Sequence, residues 1–288
     1  MRIVFFGEDS FSAIVLESLI LVKHDIAAVF CPIYKNNIHV RLEQVCKKNK
    51  ISFQRVSDIN SEDVQFFLNY LNIDLISVCH FEKVLKKNII DIPKLGCINL
   101  HPSLLPNYRG LSPQHWPIIN GDYETGITVH FINEGIDTGD IILQRKIPID
   151  SNIYVAEMQR NMLSVYKNIM SDAIILIRKN DVNFINQNNL SGSYYGKLKE
   201  SHCIIDLNNS FQVAYNLIRG VSMPYYGAKI GNFRIWKAKP LEKKINDQIE
   251  QEFKVNCIYF NTKWGDIIKF MDGSLIVEKY SKIVKHER

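Results

Sequence analysis

Residues 1–32 read MRIVFFGEDSFSAIVLESLILVKHDIAAVFCP, and this stretch decides the fold that we expect. The apolar run 3–6 ends at Gly7, and apolar residues then recur at helical spacing through 11–22. A second apolar run follows at 26–31. A strand, a helix and a second strand in this order are typical of a βαβ unit, in which the two strands lie parallel in one sheet.

The same alternation continues through the first hundred residues. Further strands are predicted at 51–56, 74–79 and 96–100, with helices at 40–50 and 61–71 and a helix or turn at 82–90. This order predicts an α/β fold with a Rossmann-like, mostly parallel sheet that has helices on both faces. Loops at the carboxyl ends of such strands collect functional residues, so Gly7–Phe11, His80–Val84 and His101–Gly110 are expected on one rim.

From residue 126 the pattern changes. Strands at 126–132 and 141–149 flank the turn NEGIDTGD at 133–140, and a long helix at 154–178 and a loop at 180–193 follow. After about 205, a helix at 210–220 precedes short alternating segments at 228–235, 255–260 and 267–278, with a charged loop or linker at 241–254. We therefore expect an N-terminal catalytic domain over 1–200 and a small β-rich, OB-like domain over 201–288.

The composition limits the class of protein. The chain has 288 residues, of which 46% are hydrophobic and 23% charged, and no apolar run reaches the roughly 18–20 residues that span a membrane. The N-terminus has a charge and a glycine where a signal peptide needs an apolar stretch, so a cytoplasmic protein is expected. The six cysteines form no CxxC pair and the histidines no cluster at metal spacing, which predicts reduced thiols and no metal site.

Three polar residues of the segment 96–140 suggest a reaction. Asn99 and His101 lie at i and i+2 near the end of a strand, so their side chains share a face, and Asp137 lies in a Gly-rich turn. An asparagine can donate to a developing oxyanion, a histidine can accept a proton, and an aspartate can orient that histidine. This set suits attack by an amine on an acyl carbon. Taken singly, His101 also fits an ordinary hydrogen-bonded histidine, and Asp137 a plain turn residue.

Two longer strings contain these residues. GCINLHPSLLPNYRG at 96–110 and ETGITVHFINEGIDTGDII at 124–142 closely resemble the formyltransferase family that uses 10-formyltetrahydrofolate. FFGEDSF at 5–11 and YNLIRGVSMPYYGA at 215–228 extend the resemblance over most of the chain. In that family the N-x-H pair and the aspartate of the D-T-G turn are the catalytic trio, and they match Asn99, His101 and Asp137.

The resemblance implies transfer of a formyl group from 10-formyltetrahydrofolate to an amine, without a metal. Asn99 and His101 would stabilise the oxyanion, and His101, held by Asp137, would take the proton of the amine. Backbone groups make much of the contact with the pterin in this family. The implied pocket for the folate is lined by His80, Phe81, Glu82, Lys83 and Val84 and by Asn133, Glu134, Gly135 and Ile136.

The acceptor is expected to be an amino sugar. The chain length and the segment 215–228 are similar to those of nucleotide-sugar N-formyltransferases, which act on dTDP-linked amino-dideoxy sugars of surface polysaccharide such as the lipopolysaccharide O-antigen, often as homodimers. Methionyl-tRNA formyltransferases have a Gly- and Lys-rich loop after the second strand, where this chain has PIYKNNI at 32–38, and they are longer at the C-terminus. Glycinamide ribonucleotide enzymes are usually smaller and lack a C-terminal β-domain.

Several residues are candidates for contact with the nucleotide sugar. An arginine can pair with a phosphate and a tyrosine can stack on a base. Each also has a structural interpretation: a tyrosine pair that packs a domain interface, a structural arginine, or, for Ser10, the cap of a helix. Ser103 is not in a G-x-S-x-G elbow, so it is not proposed as a nucleophile. The candidates are Ser10, Ser103, Tyr108, Arg109, Arg219, Tyr225 and Tyr226.

The charge distribution does not favour a nucleic acid. The formal net charge is +5, and residues 1–200 contain 21 basic and 21 acidic side chains, whereas residues 201–288 contain 14 and 9. The excess therefore lies in the predicted β-domain, where acids are interleaved with the lysines. This is enough for a diphosphate and little for a tRNA. Three alternatives remain: methionyl-tRNA formyltransferase, a 10-formyltetrahydrofolate hydrolase that uses water, and a catalytically silent binding module. The intact trio argues against the silent module.

Overall fold

The structure is a computed structural model that describes residues 1–33, 38–180, 183–188 and 190–283. Most of the loop PIYKNNI, namely 34–37, lies outside these residues. The chain forms two compact units, each assembled from several segments. Unit 1 consists of Met1–Gly110, Gly126–Ile147 and Met162–Tyr194, and unit 2 of Leu111–Thr125, Pro148–Asn161 and Tyr195–Arg288. The contiguous boundary at 200/201 stays a prediction.

The large sheet is the scaffold of unit 1. Its order is β3-β2-β1-β4-β5-β7-β8, with parallel pairing from β3 to β5 and antiparallel pairing between β5 and β7. The predicted Rossmann-like, mostly parallel sheet is therefore confirmed. In chain order its strands are β1 (Arg2–Gly7), β2 (Asp25–Pro32), β3 (Ser52–Val56), β4 (Leu75–Cys79), β5 (Cys97–His101), β7 (Glu124–Phe131) and β8 (Ile141–Pro148). The short β6 (Arg109–Gly110) follows β5 in the chain and does not belong to this sheet.

The helices that follow these strands bury one face each. Phe6, Phe30 and Val78 form part of the core beside the sheet. Gly7 lets the first helix approach β1, because a Cβ there would lie 2.6 Å from the Cβ of Ser12. The helices are α1 (Ser10–Leu21), α2 (Val40–Asn49), α3 (Glu62–Tyr70), α4 (Lys87–Ile90), α5 (Trp116–Asn120) and α6 (Val155–Lys179).

The C-terminal part of unit 2 is built on a separate antiparallel sheet. Its five strands follow the order β10-β11-β14-β13-β12, and Ile218 and Phe270 are fully buried in its core. The predicted β-rich C-terminal fold is therefore confirmed. The remaining elements are β9 (Tyr194–Tyr195), a 3₁₀ turn (Glu200–His202), α7 (Phe211–Val221), β10 (Ala228–Ile230), β11 (Phe233–Pro240), α8 (Lys243–Glu252), β12 (Cys257–Thr262), β13 (Gly265–Lys269) and β14 (Ser274–Lys282).

The prediction of a charged loop or linker at 241–254 is wrong, because most of this stretch forms helix α8. Ile245 and Ile249 lie four residues apart on this helix, and Ile249 is fully buried against Leu241 and Ile267. The high charge of the stretch concealed this apolar spacing, which is typical of an amphipathic helix. Within 228–235 and 267–278, the expected single strands are each interrupted by a turn, so they contribute to four strands rather than two.

Candidate active site

Strand pairing brings the first two residues of the trio to one place in unit 1. In the register of β5 with β7, Asn99 lies opposite His130 and His101 opposite Thr128. The Nδ2 of Asn99 lies 3.2 Å from the Nε2 of His130. Asn99 and His101 thus share a face of β5, as the i, i+2 spacing predicts.

The turn after β7 supplies the third residue. Asp137 has a φ of 53°, in the left-handed region, and its Oδ2 accepts a hydrogen bond of 2.8 Å from the backbone N–H of Gly110. Two residues later, a Cβ on Gly139 would lie 1.9 Å from the carbonyl oxygen of Phe131, so only glycine fits there. The turn formed by the D-T-G motif therefore directs the Asp137 carboxylate back toward β5 and β7.

His101 is 4% exposed, and its two ring nitrogens have different surroundings. Nε2 lies 2.8 Å from the backbone carbonyl of Tyr108, and because a carbonyl only accepts, Nε2 carries a proton. Nδ1 lies 3.6 Å from the Oδ2 of Asp137. In the neutral ring Nδ1 is therefore unprotonated, and a proton added there is stabilised by the adjacent carboxylate.

The electrostatics agree with these roles. Burial lowers the pKa of His101 below its ordinary value of 6.5, although the charge of Asp137 opposes the shift. Burial of Asp137 opposes its ionisation, but mainly the charge of His101, together with the hydrogen bond from the backbone N–H of Gly110, outweighs burial and holds the pKa of Asp137 far below the ordinary range. At neutral pH the site therefore combines a neutral imidazole with an ionised carboxylate.

His130 is a fourth member of this cluster that the sequence reading missed. It is 2% exposed, its Nδ1 donates to the carbonyl of Phe131 at 2.8 Å, and its Nε2 lies 3.4 Å from the Oδ1 of Asp137. When His130 is neutral, Nε2 is an acceptor that orients the amide of Asn99. The sequence marks His130 to the extent that it lies inside the motif at 124–142. Its pairing with Asn99 follows only from the register of β5 with β7.

Gln187 is a second functional candidate that sequence reasoning missed. It is 2% exposed, in the loop after α6. Its Nε2 donates to the carbonyl oxygens of Asp137 (3.1 Å) and Gly139 (2.6 Å), and its Oε1 accepts from the Nη2 of Arg109 at 2.8 Å. No local pattern in an Asn-rich loop marks such a residue.

The first predicted folate segment is attached to the end of β1. His80 has a φ of 47°, and its Nδ1 and Nε2 lie 2.8 Å from the Oδ2 of Asp9 and the hydroxyl of Tyr166. Its imidazole therefore anchors the loop. The backbone N–H of Glu82 donates to the buried Glu8. Phe81 packs on Phe6 in the core, whereas Glu82, Lys83 and Val84 are exposed.

The second predicted folate segment forms the turn before Asp137. The Oδ1 of Asn133 accepts from the N–H of Gly135 and the hydroxyl of Thr138, so this side chain builds the turn. Glu134 lies 3.9 Å from Lys87, which follows the first folate segment. Ile136 is 46% exposed and Val84 is 62% exposed. The two segments thus offer exposed apolar side chains and turn backbone, a combination that fits a flat heteroaromatic ring.

Among the four candidates for sugar contact in unit 1, three have contacts with other residues of the unit. Ser103 is fully buried, and its hydroxyl donates to the carbonyl of Asn107. Tyr108 is 9% exposed and has a φ of 60°, with its carbonyl bound by His101. Arg109 is half-buried and bound by Gln187, and Ser10 is exposed at the first turn of α1.

The other three candidates lie in unit 2. Arg219 is 3% exposed, and its guanidinium donates to the carbonyl of Ile153 and to the side chain of Asn216. Those bonds hold it within unit 2, and a phosphate would have to displace them. Tyr225 donates its hydroxyl to the side chain of Gln159, whereas Tyr226 is 38% exposed. Contact of these three with a nucleotide stays a prediction.

Across the described ranges, which omit 34–37, 181–182, 189 and 284–288, no three His, Cys, Asp or Glu side chains are grouped so as to hold a metal ion. Within the same ranges, none of the helices has both the length and the hydropathy needed to cross a bilayer.

Comparison with known proteins identifies the family of this site. Residues 1–174, which include the whole trio, match the family model described as formyl transferase. A methionyl-tRNA formyltransferase of Clostridioides difficile (strain 630) is 31% identical over 291 residues, covering 97% of this chain and 91% of that protein.

Two solved structures share the fold. An N-formyltransferase from Helicobacter canadensis, in complex with folinic acid and dTDP-3-aminofucose, is 24% identical, with a TM-score of 0.75 over 98% of this chain and 100% of that one. WlaRD, a sugar 3N-formyl transferase crystallised with dTDP and 5-N-formyl-THF, is 24% identical, with a TM-score of 0.74 over 99% of this chain and 98% of that one. With the family model covering the trio and more than half of the sequence, this chain belongs to the formyl transferase family and is a formyltransferase.

Proposed function

We propose that this enzyme transfers the formyl group of 10-formyltetrahydrofolate to the amine of a nucleotide-linked amino-dideoxy sugar, of the dTDP-linked kind used for surface polysaccharide. The observation that carries the formyl transfer is the cluster of Asn99, His101 and Asp137, in which an unprotonated Nδ1 faces an ionised carboxylate. The cluster needs no serine or cysteine nucleophile, which suits direct attack by an amine.

The residues have distinct tasks. One N–H of the Asn99 amide donates to His130, and the other can donate to the formyl oxygen as negative charge develops there. As the new N–C bond forms, Nδ1 of His101 takes the proton that the attacking amine loses. The imidazolium can return this proton to the folate nitrogen as the bond between that nitrogen and the formyl carbon breaks. Asp137 stabilises the imidazolium through the 3.6 Å approach of Oδ2.

The co-substrate would lie against the two loops that flank the cluster. 10-Formyltetrahydrofolate supplies the formyl group, already bonded to a nitrogen that can leave. Val84 and Ile136 offer apolar side chains to its ring, and backbone groups of 80–84 and 133–136 offer donors and acceptors. The two related proteins crystallised with folinic acid or 5-N-formyl-THF support this assignment.

Whole-chain likeness supports a sugar as the acceptor. One of the two solved structures holds dTDP-3-aminofucose and the other is a sugar 3N-formyl transferase with dTDP, and each match covers nearly the full length of both chains. Arg109, beside the Asp137 turn, supplies a guanidinium for a diphosphate. The cytoplasmic location and the homodimer stay predictions.

Methionyl-tRNA formyltransferase is the second candidate, and a specific observation favours it. The curated relatives matched over almost the whole chain include tRNA enzymes from Clostridioides difficile and from Fusobacterium nucleatum, the latter 29% identical over 98% of this chain. Both candidates are formyl transfers to an amine, so the acceptor and not the reaction distinguishes the two proposals.

A single acceptor screen tests the choice. The enzyme is incubated with 10-formyltetrahydrofolate and, in separate reactions, dTDP- and UDP-linked 3- and 4-amino sugars, charged initiator tRNA, or no acceptor, and products are identified by mass spectrometry. An Asn99→Ala variant serves as the matched control for enzyme-dependent transfer. We expect a formylated nucleotide sugar. Formylation of the tRNA alone contradicts the sugar proposal, and folate turnover without any acceptor indicates a hydrolase.

A further inference from the structure

Gln187 makes a complete set of hydrogen bonds with its side-chain amide. Both N–H groups point at carbonyl oxygens, those of Asp137 and Gly139, and the amide oxygen accepts from Nε (3.3 Å) and Nη2 (2.8 Å) of Arg109. Since carbonyls only accept and a guanidinium only donates, the orientation of the amide is determined. At 2% exposure, water does not compete freely for these bonds.

These bonds close a ring around the catalytic aspartate. Gly110 donates to the Asp137 carboxylate, the Asp137 carbonyl accepts from Gln187, and Gln187 binds Arg109, which is the chain neighbour of Gly110. The backbone and the side chain of Asp137 are therefore both held by one connected set of hydrogen bonds. The φ of Asp137 is left-handed, which is uncommon for a non-glycine residue, and these bonds fix the turn in that conformation.

We propose that Gln187 is a positioning residue that couples Arg109, on the substrate side, to the turn that holds Asp137 against His101. Binding of an anionic group to Arg109 then orders the catalytic turn through one rigid amide. The inference has two halves. The Arg109 half, in which a bound anion orders the turn, rests on the proposed nucleotide-sugar function. The Asp137 half, in which Gln187 holds the catalytic turn, requires only that the enzyme transfers a formyl group.

Two substitutions separate the halves. Gln187→Glu keeps an oxygen for Arg109 but turns a second oxygen toward the carbonyls, so the Asp137 turn loses its donors. Gln187→Met, of similar length, loses both partners. Because small misplacements of catalytic groups are costly, we expect kcat to fall about 10–100-fold in both variants. KM for the acceptor should stay within about threefold in Gln187→Glu and rise further in Gln187→Met.

The pH profile of Gln187→Met distinguishes positioning from mere stability. If Asp137 moves away from Nδ1, the imidazolium of His101 loses stabilisation and the pKa of His101 falls. The acid limb of the pH profile of kcat, where the rate drops as His101 becomes protonated, then shifts to lower pH. Asn186→Ala is the matched control, since Asn186 lies in the same loop and its side chain donates to Asp140 instead. We expect this control to keep the wild-type kcat and acid limb.

The assay measures formyl transfer from 10-formyltetrahydrofolate to the acceptor that the wild-type enzyme uses, with circular dichroism melting of each variant. An unshifted acid limb, with kcat lowered only in proportion to the folded fraction, overturns the inference, as does wild-type kcat in Gln187→Glu. If the wild type formylates tRNA but no sugar, the proposed function fails, and the acid limb of Gln187→Met still tests the Asp137 half.

Discussion

At the scale of single residues, the proposed catalytic cluster depends on side chains outside the family's trio. With Nδ1 bound to the Phe131 carbonyl, the Nε2 of a neutral His130 accepts from the Asn99 amide, and it also lies beside Asp137. The trio was predicted from motifs, whereas His130 lies inside one of those motifs without being predicted and Gln187 lies in none. Their partners are 31 and 50 residues away along the chain, and only strand register and loop placement bring them together.

The role of His130 predicts a measurable loss of rate. His130→Leu removes the acceptor for Asn99, so kcat should fall about 10–100-fold, less than the roughly 100–1000-fold expected when Asn99→Ala removes the oxyanion donor itself. Because both changes act on one amide, the double variant should be little slower than Asn99→Ala. Steady-state kinetics check this, with His24→Leu as the imidazole control. Additive losses would show that His130 acts independently.

The two-sided surroundings of His101 predict a pH dependence. Burial lowers its pKa, so in the wild type the acid limb of kcat should lie below the ordinary value of 6.5. Asp137 opposes this shift, so Asp137→Asn should move the limb to still lower pH while kcat falls about 100-fold or more. A pH–rate profile of each enzyme measures both effects. Movement of the limb to higher pH would contradict the role assigned to Asp137.

At the scale of elements, α1 and the loop after β4 depend on one aspartate. The Oδ1 of Asp9 caps α1 by accepting from the backbone of Phe11 and Ser12, while its Oδ2 binds His80. Ser10 was considered for the cap from the sequence, and the structure gives that role to Asp9. The use of the second oxygen was not predicted, because it requires β1 and β4 to be neighbours in the sheet.

This double role predicts a pH-dependent difference in stability. Asp9→Asn can keep the cap, whereas Asp9→Ala loses it and should cost about 1 kcal/mol more in the free energy of unfolding. Burial opposes a charged His80, but the charge of Asp9, its bond and the charge of Glu8 raise the pKa of His80 above 6.5. Burial also opposes the ionisation of Asp9. The charge of His80 and its hydrogen bond to Asp9 outweigh burial and lower the pKa of Asp9 below 3.8.

The ion pair therefore stabilises the fold fully between about pH 4 and 6.5. Its contribution is lost as pH rises through the raised pKa of His80, and at the acid end as pH falls through the lowered pKa of Asp9. Urea unfolding should thus show a larger destabilisation by Asp9→Asn at pH 5.5 than at pH 9. Equal destabilisation at both values would mean that the pair carries no net charge interaction.

Helix α8 shows where composition misleads at this scale. Lysines and acids dominate 241–254, and that charge predicted a solvated linker. The fold depends instead on Ile245 and Ile249, four residues apart, which cover the small cluster around Leu241 and Trp264. The mostly parallel sheet, by contrast, was predicted, because apolar runs that alternate with helices are typical of βαβ units.

At the scale of the whole molecule, the positive charge predicts how the acceptor is bound. The excess of +5 lies entirely in residues 201–288. A diphosphate neutralises few charges, so KM for a nucleotide sugar should rise less than about tenfold between 50 and 200 mM salt. Contacts to 6–10 phosphates of a tRNA would cost about 10³–10⁵ over the same range. Initial rates at several salt concentrations measure this, and a steep dependence would favour the tRNA proposal.

The ring of hydrogen bonds around Asp137 includes a residue outside the region that matches the family model. The family match stops at residue 174, and Gln187 lies beyond it. A chain truncated after residue 174 would keep Asn99, His101 and Asp137 but would lose the Gln187 amide that donates to the Asp137 turn. The region that matches the family model therefore contains the trio but does not contain every side chain that holds it in place.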